Sequence, residues 1–274
     1  MANISNKGRC IFLKVLAIIG SPRRGRTYNM VQRFEKQLKS YGKVEFEYAD
    51  LRDYTIQPCR GCEVCLKQGD KFCPLQDDTK VIFEKMLAAD GVIFATPNYA
   101  LNVTALMKNL LDRLAYVFHR PCFFHKASIA MVTQGVYGDK EIIKYFESVC
   151  QLWGFNACKG IGLTTPSNEL LPSEQEKINK TISKGAKHFY GILSGSKSPQ
   201  PNFFMLWAFR FARTSHAKLT DKTYCDYHYF KTNGWFDSDY YYDVKLNPFK
   251  KLYGIFADKM AKKVMDRIGV ERQG

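Results

Sequence analysis

Four cysteines fall close together, Cys59, Cys62, Cys65 and Cys73. Three at two-residue intervals can wrap one face of a cubane, and a fourth after a short loop can complete four thiolate ligands. Pro74 follows Cys73 as it does in ferredoxin-like runs, although the gap before Cys73 exceeds the compact ferredoxin spacing. Tetrahedral zinc generally draws two cysteine pairs separated by a longer stretch, so it ranks behind a cluster. Three states stay open on spacing: a [4Fe–4S] cluster, a zinc ion, or free thiols. Nine cysteines in all is an odd number. With no export signal recognised, metal or redox chemistry explains the group better than disulfides. Cys10, Cys122, Cys150, Cys158 and Cys225 are scattered and read as small buried hydrophobes.

A second constellation runs from Ser21 to Thr27, Ser-Pro-Arg-Arg-Gly-Arg-Thr, between an apolar run and a helical stretch. Free N–H groups at a helix start, together with the helix dipole, favour an anion there. The Ser21 and Thr27 hydroxyls and the Arg23 and Arg26 guanidiniums would add donors. The Gly-Lys-Ser/Thr ending of a Walker loop is missing, so this is a different phosphate site.

The elements that must position these residues alternate between buried strands and helical stripes. Strand-like runs are expected at 11–19, 43–49, 90–96, 127–133 and 157–163, and helices at 27–40, 102–117, 139–153 and 173–193. Strands separated by helices of this length give right-handed crossovers and a parallel sheet covered on both faces. The fold expected is α/β: a flavodoxin-like five-stranded parallel sheet with an aromatic-rich C-terminal extension, binding its ligand where the strand order switches. A dinucleotide fold would want Gly-x-Gly-x-x-Gly after the first strand, and Gly20-Ser-Pro-Arg-Arg-Gly lacks the middle glycine. Residues 1–195 are read as the sheet domain and 196–274 as the extension, with the Ser/Pro/Gly-rich stretch 194–201 as linker.

Gly20-Ser21-Pro22-Arg23 with Gly25-Arg26-Thr27 resembles the FMN phosphate loop of the NADPH-dependent FMN reductase family. Thr96-Pro97-Asn98-Tyr99 is similar to that family's Pro-x-Tyr loop. Lys108 with Asp112-Arg113 is similar to its Lys-x-x-x-Asp-Arg helix. Arg26 departs from the family, which commonly has Asn there. The resemblance spans roughly residues 11–193. It implies that Pro97, Asn98, Tyr99, Asn102 and Val103 lie along the isoalloxazine, and that Gln134, Gly135 and Gly138 frame its other side. It also implies hydride transfer at the flavin with no catalytic side chain, and NAD(P)H as reductant. Lys108, Asp112 and Arg113 are assigned to scaffold, as an i,i+4 pairing on a helix. The cysteine motif resembles that of the iron–sulfur flavoproteins, which join it to the same domain. Two functions follow: an NAD(P)H oxidoreductase reducing a small quinone, nitroaromatic, flavin or protein acceptor, or an electron carrier using FMN and a [4Fe–4S] cluster.

The net charge of +15 suits anionic cofactors, acidic redox partners or anionic surfaces. No nucleic-acid module appears. Lys7 and Arg9 before an apolar run superficially resemble a signal peptide, but Lys14 interrupts the run and no cleavage site follows. No run long enough for a transmembrane segment is seen, and a cytoplasmic homodimer or homotetramer is expected. In the extension, Phe203–Phe211 is apolar nearly all round if helical. Phe249, Leu252, Tyr253, Phe256, Met260 and Val264 form the apolar stripe of a last helix. Such a segment can pack down on the sheet domain, serve as an exchanged arm, attach to a membrane surface or form a lid over the flavin, and the arm and the lid are the preferred readings. Tyr227, Tyr229, Trp235 and Tyr240–Tyr242 could wall a planar pocket, though aromatic packing explains them more simply. His216 and His228 are read as structural.

Overall fold

A near-continuous seven-residue aliphatic run can bury its side chains on both faces only inside a sheet covered on both sides. In the computed structural model, which describes residues 12–166, 169–195, 199–219 and 221–271, β1 (Leu13–Ile19) occupies such a place. Leu16 and Ile18 point into one core, and Leu13, Val15, Ala17 and Ile19 into the other. β1 pairs in parallel with β2 (Val44–Asp50) and β3 (Gly91–Pro97), and β3 with β4 (Ala127–Gln134). The order is β2-β1-β3-β4-β5, the flavodoxin-like order expected, with the switch point between β1 and β3.

The fifth position is shared. β5 (Asn156–Ala157) and β6 (Ile161–Thr164) both pair with β4 in parallel. The run expected at 157–163 is therefore broken around Gly160, where a Cβ would come within 2.7 Å of Ile143 and 3.1 Å of the Ala130 carbonyl. The Gly160 N–H turns instead to the Glu147 carboxylate at 2.9 Å.

α1 (Arg26–Lys39) and α6 (Pro172–Leu193) cover one face. α3 (Thr79–Ala88), α4 (Ala105–Arg113) and α5 (Asp139–Leu152) cover the other. A single-turn helix, α2 (Val64–Lys67), lies in the cysteine loop. α3 was not read from the sequence, because its stripe is short and follows directly on that polar loop. The helix expected at 102–117 is shorter. Thr104 caps α4 by accepting the Met107 N–H, and after Arg113 the chain tightens into a 3₁₀ turn at Ala115–Phe118.

Beyond residue 199 the chain forms α7 (Phe203–Ala217), α8 (Cys225–Thr232) and α9 (Pro248–Glu271). Met205, Leu206, Phe209, Phe230, Trp235, Tyr240 and Leu246 make a third core, with Phe124 and Leu152 of the sheet unit packed against it. The extension thus packs down at the entrance to β4, where the Tyr229 hydroxyl donates to the Pro121 carbonyl at 3.0 Å. Tyr229, Trp235 and Tyr240–Tyr242 belong to this core or its edge, so packing accounts for them. Residues 196–198 of the expected linker, together with Lys7, Arg9 and Cys10, lie outside the described residues.

Candidate functional site

The loop after β1 leads into α1 through Gly25, and no side chain caps this helix. Its first turn holds no acid, so the orphan N–H groups and the positive dipole end are left for an external anion. The Ser21 hydroxyl donates to the Arg23 carbonyl at 2.8 Å and holds the turn. The Thr27 hydroxyl, instead of capping, meets that of Thr133 at 2.7 Å, pinning α1 to the end of β4. Gly20 is needed where the loop leaves the sheet. A Cβ there would lie 2.7 Å from that of Met107, and its carbonyl accepts the Thr104 hydroxyl.

Ser21, Arg23, Gly25, Arg26 and Thr27 line one cleft with Pro97, Asn98, Tyr99, Thr133, Gln134, Gly135 and Thr165. It sits at the carboxyl ends of β1, β3, β4 and β6, with a volume of about 260 Å³. Two arginines and no carboxylate line it, the balance a phosphate monoester requires. Nine of the twelve residues expected to bind cofactor meet here; Asn102, Val103 and Gly138 do not line it. Val103 is 7% exposed and packs into the sheet core. Asn102 closes a tight turn with Tyr99, each N–H donating to the other's carbonyl at 3.0 Å. Gly138 starts α5 at φ +104°, and the Asn98 amide nitrogen would be 2.6 Å from a Cβ there. Gly25, Thr133 and Thr165 were missed. The first sat inside the loop already quoted, and the threonines carry no signal beyond ending a strand.

Asn98 ties two loops together, its side-chain nitrogen donating to the Tyr137 carbonyl at 2.9 Å. Its Oδ1 and the Oε1 of Gln134 are buried without a hydrogen-bond partner. Buried acceptors of this kind cost free energy unless a donor reaches them. A flavin ring with an imide N–H and a phosphate tail offers both the donor and the anion this cleft lacks, so FMN fits it. Between Tyr99 and Asn102, Ala100 and Leu101 take left-handed conformations (φ 50° and 61°), which non-glycine residues rarely adopt. The turn leaves Tyr99 and Leu101 about half exposed beside the cleft.

The cysteine loop is held by side chains. Arg113, at the end of α4, is buried in an ion pair with Asp77, and donates to the Gln57 carbonyl at 3.1 Å and the Leu75 carbonyl at 3.3 Å. It also reaches the Cys73 sulfur at 3.7 Å. Asn109 donates to the Ile56 carbonyl, and Asp77 accepts the Gln57 N–H at 2.9 Å. Burial pushes the Asp77 carboxyl up, but Arg113 and the surrounding N–H donors outweigh it and hold it below the usual range. Lys108 and Asp112 form the expected i,i+4 pair. Arg113 is scaffold of another kind, reaching across to a loop some forty residues earlier in sequence.

Cys59 and Cys62 are exposed, Cys65 and Cys73 half-buried. Burial pushes the Cys65 thiol up, with the other three cysteines adding to it against the lowering charge of Arg120. Zinc–sulfur bonds of 2.3 Å would require sulfurs about 3.8 Å apart. Among the described residues, no three of these sulfurs lie within 4.8 Å of one another.

His216 proves to have partners. Its Nδ1 lies 2.6 Å from the Ala212 carbonyl and its Nε2 3.8 Å from Asp226, which His119 approaches at 3.0 Å. Arg120 donates to Asp226 at 2.6 Å and to the Cys65 carbonyl at 2.8 Å, joining the extension to the cysteine loop. Burial raises the Asp226 carboxyl, but the two histidines and Arg120 prevail and hold it well below its ordinary value. Among the described residues, none of the extension lines the cleft, whose lining ends at Thr165. The aromatics of the extension pack together at the other end of β4, against Phe124 and Leu152.

Comparison with known proteins agrees with this architecture. The model of the NADPH-dependent FMN reductase family matches residues 13–160. An iron-sulfur flavoprotein of Archaeoglobus fulgidus is 32% identical over 65% of this chain and 80% of its own length. A second from that organism is 43% identical over 37% of this chain, where the match spans 48% of the relative. Among solved structures, an NAD(P)H:quinone oxidoreductase from Methanothermobacter marburgensis aligns with a TM-score of 0.51 at 17% identity. That alignment covers 65% of this chain and 98% of that one, a likeness of fold. Among the described residues no helix is long and apolar enough to cross a membrane. With its strand order, the uncapped helix start after β1 and the family match over more than half its length, the chain belongs to the NADPH-dependent FMN reductase family.

Proposed function

We propose that this protein binds FMN in the cleft and acts as an NAD(P)H-dependent oxidoreductase toward a small quinone, nitroaromatic or flavin, or a protein acceptor. The observation that carries the reading is the pairing, in one acid-free cleft, of an uncapped helix start with two buried acceptors that lack donors. Ser21, Arg23, Arg26 and Thr27 hold the phosphate, Arg23 and Arg26 supplying its countercharge. Pro97, Asn98, Tyr99, Gln134 and Gly135 hold the ring, and Asn102 with Gly138 shapes the two loops that carry them. FMN held there would supply the electron-transfer chemistry between a nicotinamide and the acceptor, so the chain needs no acid or base of its own. The exposed turn at Tyr99 and Leu101 supports closure of the cleft by a second subunit. The separate aromatic core supports a division between a sheet domain, 1–195, and an extension, 196–274.

A second reading is favoured by the cysteine loop and by the relatives' names: an electron carrier in which Cys59, Cys62, Cys65 and Cys73 hold a [4Fe–4S] cluster. Cys65 must then give up its proton on binding, which Arg120 assists. Anaerobic purification, an absorption spectrum and iron and sulfide assays separate the two. Flavin bands alone, bleached by NAD(P)H, support the reductase. Additional iron–sulfur absorption that disappears in Cys62→Ala supports the carrier. A protein that binds no FMN overturns both.

A further inference from the structure

The last helix presents its apolar stripe the wrong way for packing. α9 runs parallel to α7, with Phe203 against Tyr253, Arg210 against Asp258 and Lys218 against Asp266. The contact face of α9 is made of small residues: Ala257 and Ala261 are fully buried, and Gly254 lies under the Arg210 guanidinium. The large residues point out, with Phe249 79% exposed, Leu252 67%, Phe256 56% and Ile255 50%. Phe203, at the start of α7, extends the patch and lines one apolar groove with Phe249, Leu252, Tyr253, Ile255, Phe256 and Lys259.

Charge decides what such a patch meets. Between Pro248 and Arg267 the helix carries Lys250, Lys251, Lys259, Lys262, Lys263 and Arg267, against Asp258 and Asp266. Both acids are engaged by α7: Asp258 accepts from Arg210 at 3.0 Å, Arg213 at 2.7 Å and Thr214 at 2.7 Å, and Asp266 pairs with Lys218. The outward face therefore couples bulky apolar side chains with lysines that, among the described residues, no acid of the same helix neutralises. Two copies meeting through this face would set lysines against lysines. An anionic bilayer complements both features, taking the phenylalanines into its acyl boundary and the lysines at its headgroups.

We propose that the α7–α9 face docks the protein reversibly on the surface of an anionic lipid bilayer, with α9 lying in the interface. The site is independent of the cleft and does not rest on the cofactor reading. The full-length protein is sedimented with phosphatidylcholine vesicles, with or without phosphatidylglycerol. Binding is expected with the anionic vesicles, weakening as salt rises. Lys259→Gln with Lys263→Gln, both exposed, lowers partitioning about 25-fold, at about fivefold per lysine. Leu252→Asp with Phe256→Asp abolishes it, while the circular dichroism melt stays that of the parent. Failure to sediment with either vesicle overturns the proposal, as does equal binding to both. So does an unbound protein whose oligomer the Asp variants dissolve, for then a second copy covers this face.

Discussion

The cleft and the cysteine loop lie at two ends of α4 and are made in opposite ways. Thr104, which caps α4, bonds the Gly20 carbonyl at the cleft, and Arg113, its last residue, bonds the cysteine loop. Nine residues at 1.5 Å each put them about 14 Å apart. The cleft is backbone topology: strand ends, a helix start, and hydroxyls joining them. The loop has no strand of its own and keeps its shape through buried side-chain clamps. A site built from topology should survive point changes and lose only ligand, whereas one built from clamps should lose its fold.

The largest effect expected is at the clamp. Arg113 and Asp77 are 5% and 1% exposed, and removing one partner leaves the other buried and uncompensated. Arg113→Ala should cost about 3–5 kcal/mol in urea unfolding, while Asp77→Ala together with Arg113→Met should recover part of it. If Arg113→Ala leaves stability unchanged, the loop is not held as described.

Asp226 gives the same contrast as a function of pH. Its carboxyl is held below the unfolded value of about 3.9, so its stabilisation is fully present above that value and is lost as pH falls through the folded one. The stability gap between parent and Asp226→Asn should shrink progressively as pH falls below about 4. Chemical denaturation across that range measures it. A gap that widens in acid contradicts the charge network.

In the cleft, Arg23→Ala should lower FMN affinity by about tenfold or more, the loss of one charge-assisted hydrogen bond. Melting of the apoprotein should not change, and titration calorimetry with a parallel thermal scan reads both. The smallest effect belongs to Thr133→Val, which breaks the buried hydroxyl pair with Thr27. It should cost about 1 kcal/mol, with a modest loss of FMN affinity as α1 shifts. A change in stability larger than that of Arg113→Ala would reverse the comparison.

The fold was most legible in the sequence where the backbone alone fixes the outcome. Buried strand runs and crossover helices dictated the sheet order, and the loop after β1 lay where a parallel sheet puts its ligand. Side chains whose partners are distant in sequence were illegible. Arg113 looked like half of a local pair with Lys108 and Asp112, yet it serves the cysteine loop. Val103, expected along the flavin, packs its side chain into the sheet core.

By itself, the sequence determined the α/β sheet, the loop between β1 and α1 and the cysteine spacing, because periodicity and turn chemistry are local properties of the chain. Tertiary structure alone decided which face of α9 is buried, since small residues permit the close approach to α7 that the aromatic stripe would prevent. It likewise decided that His216 and Asp226 join Arg120 beside Cys65, a meeting of three distant segments that no spacing encodes.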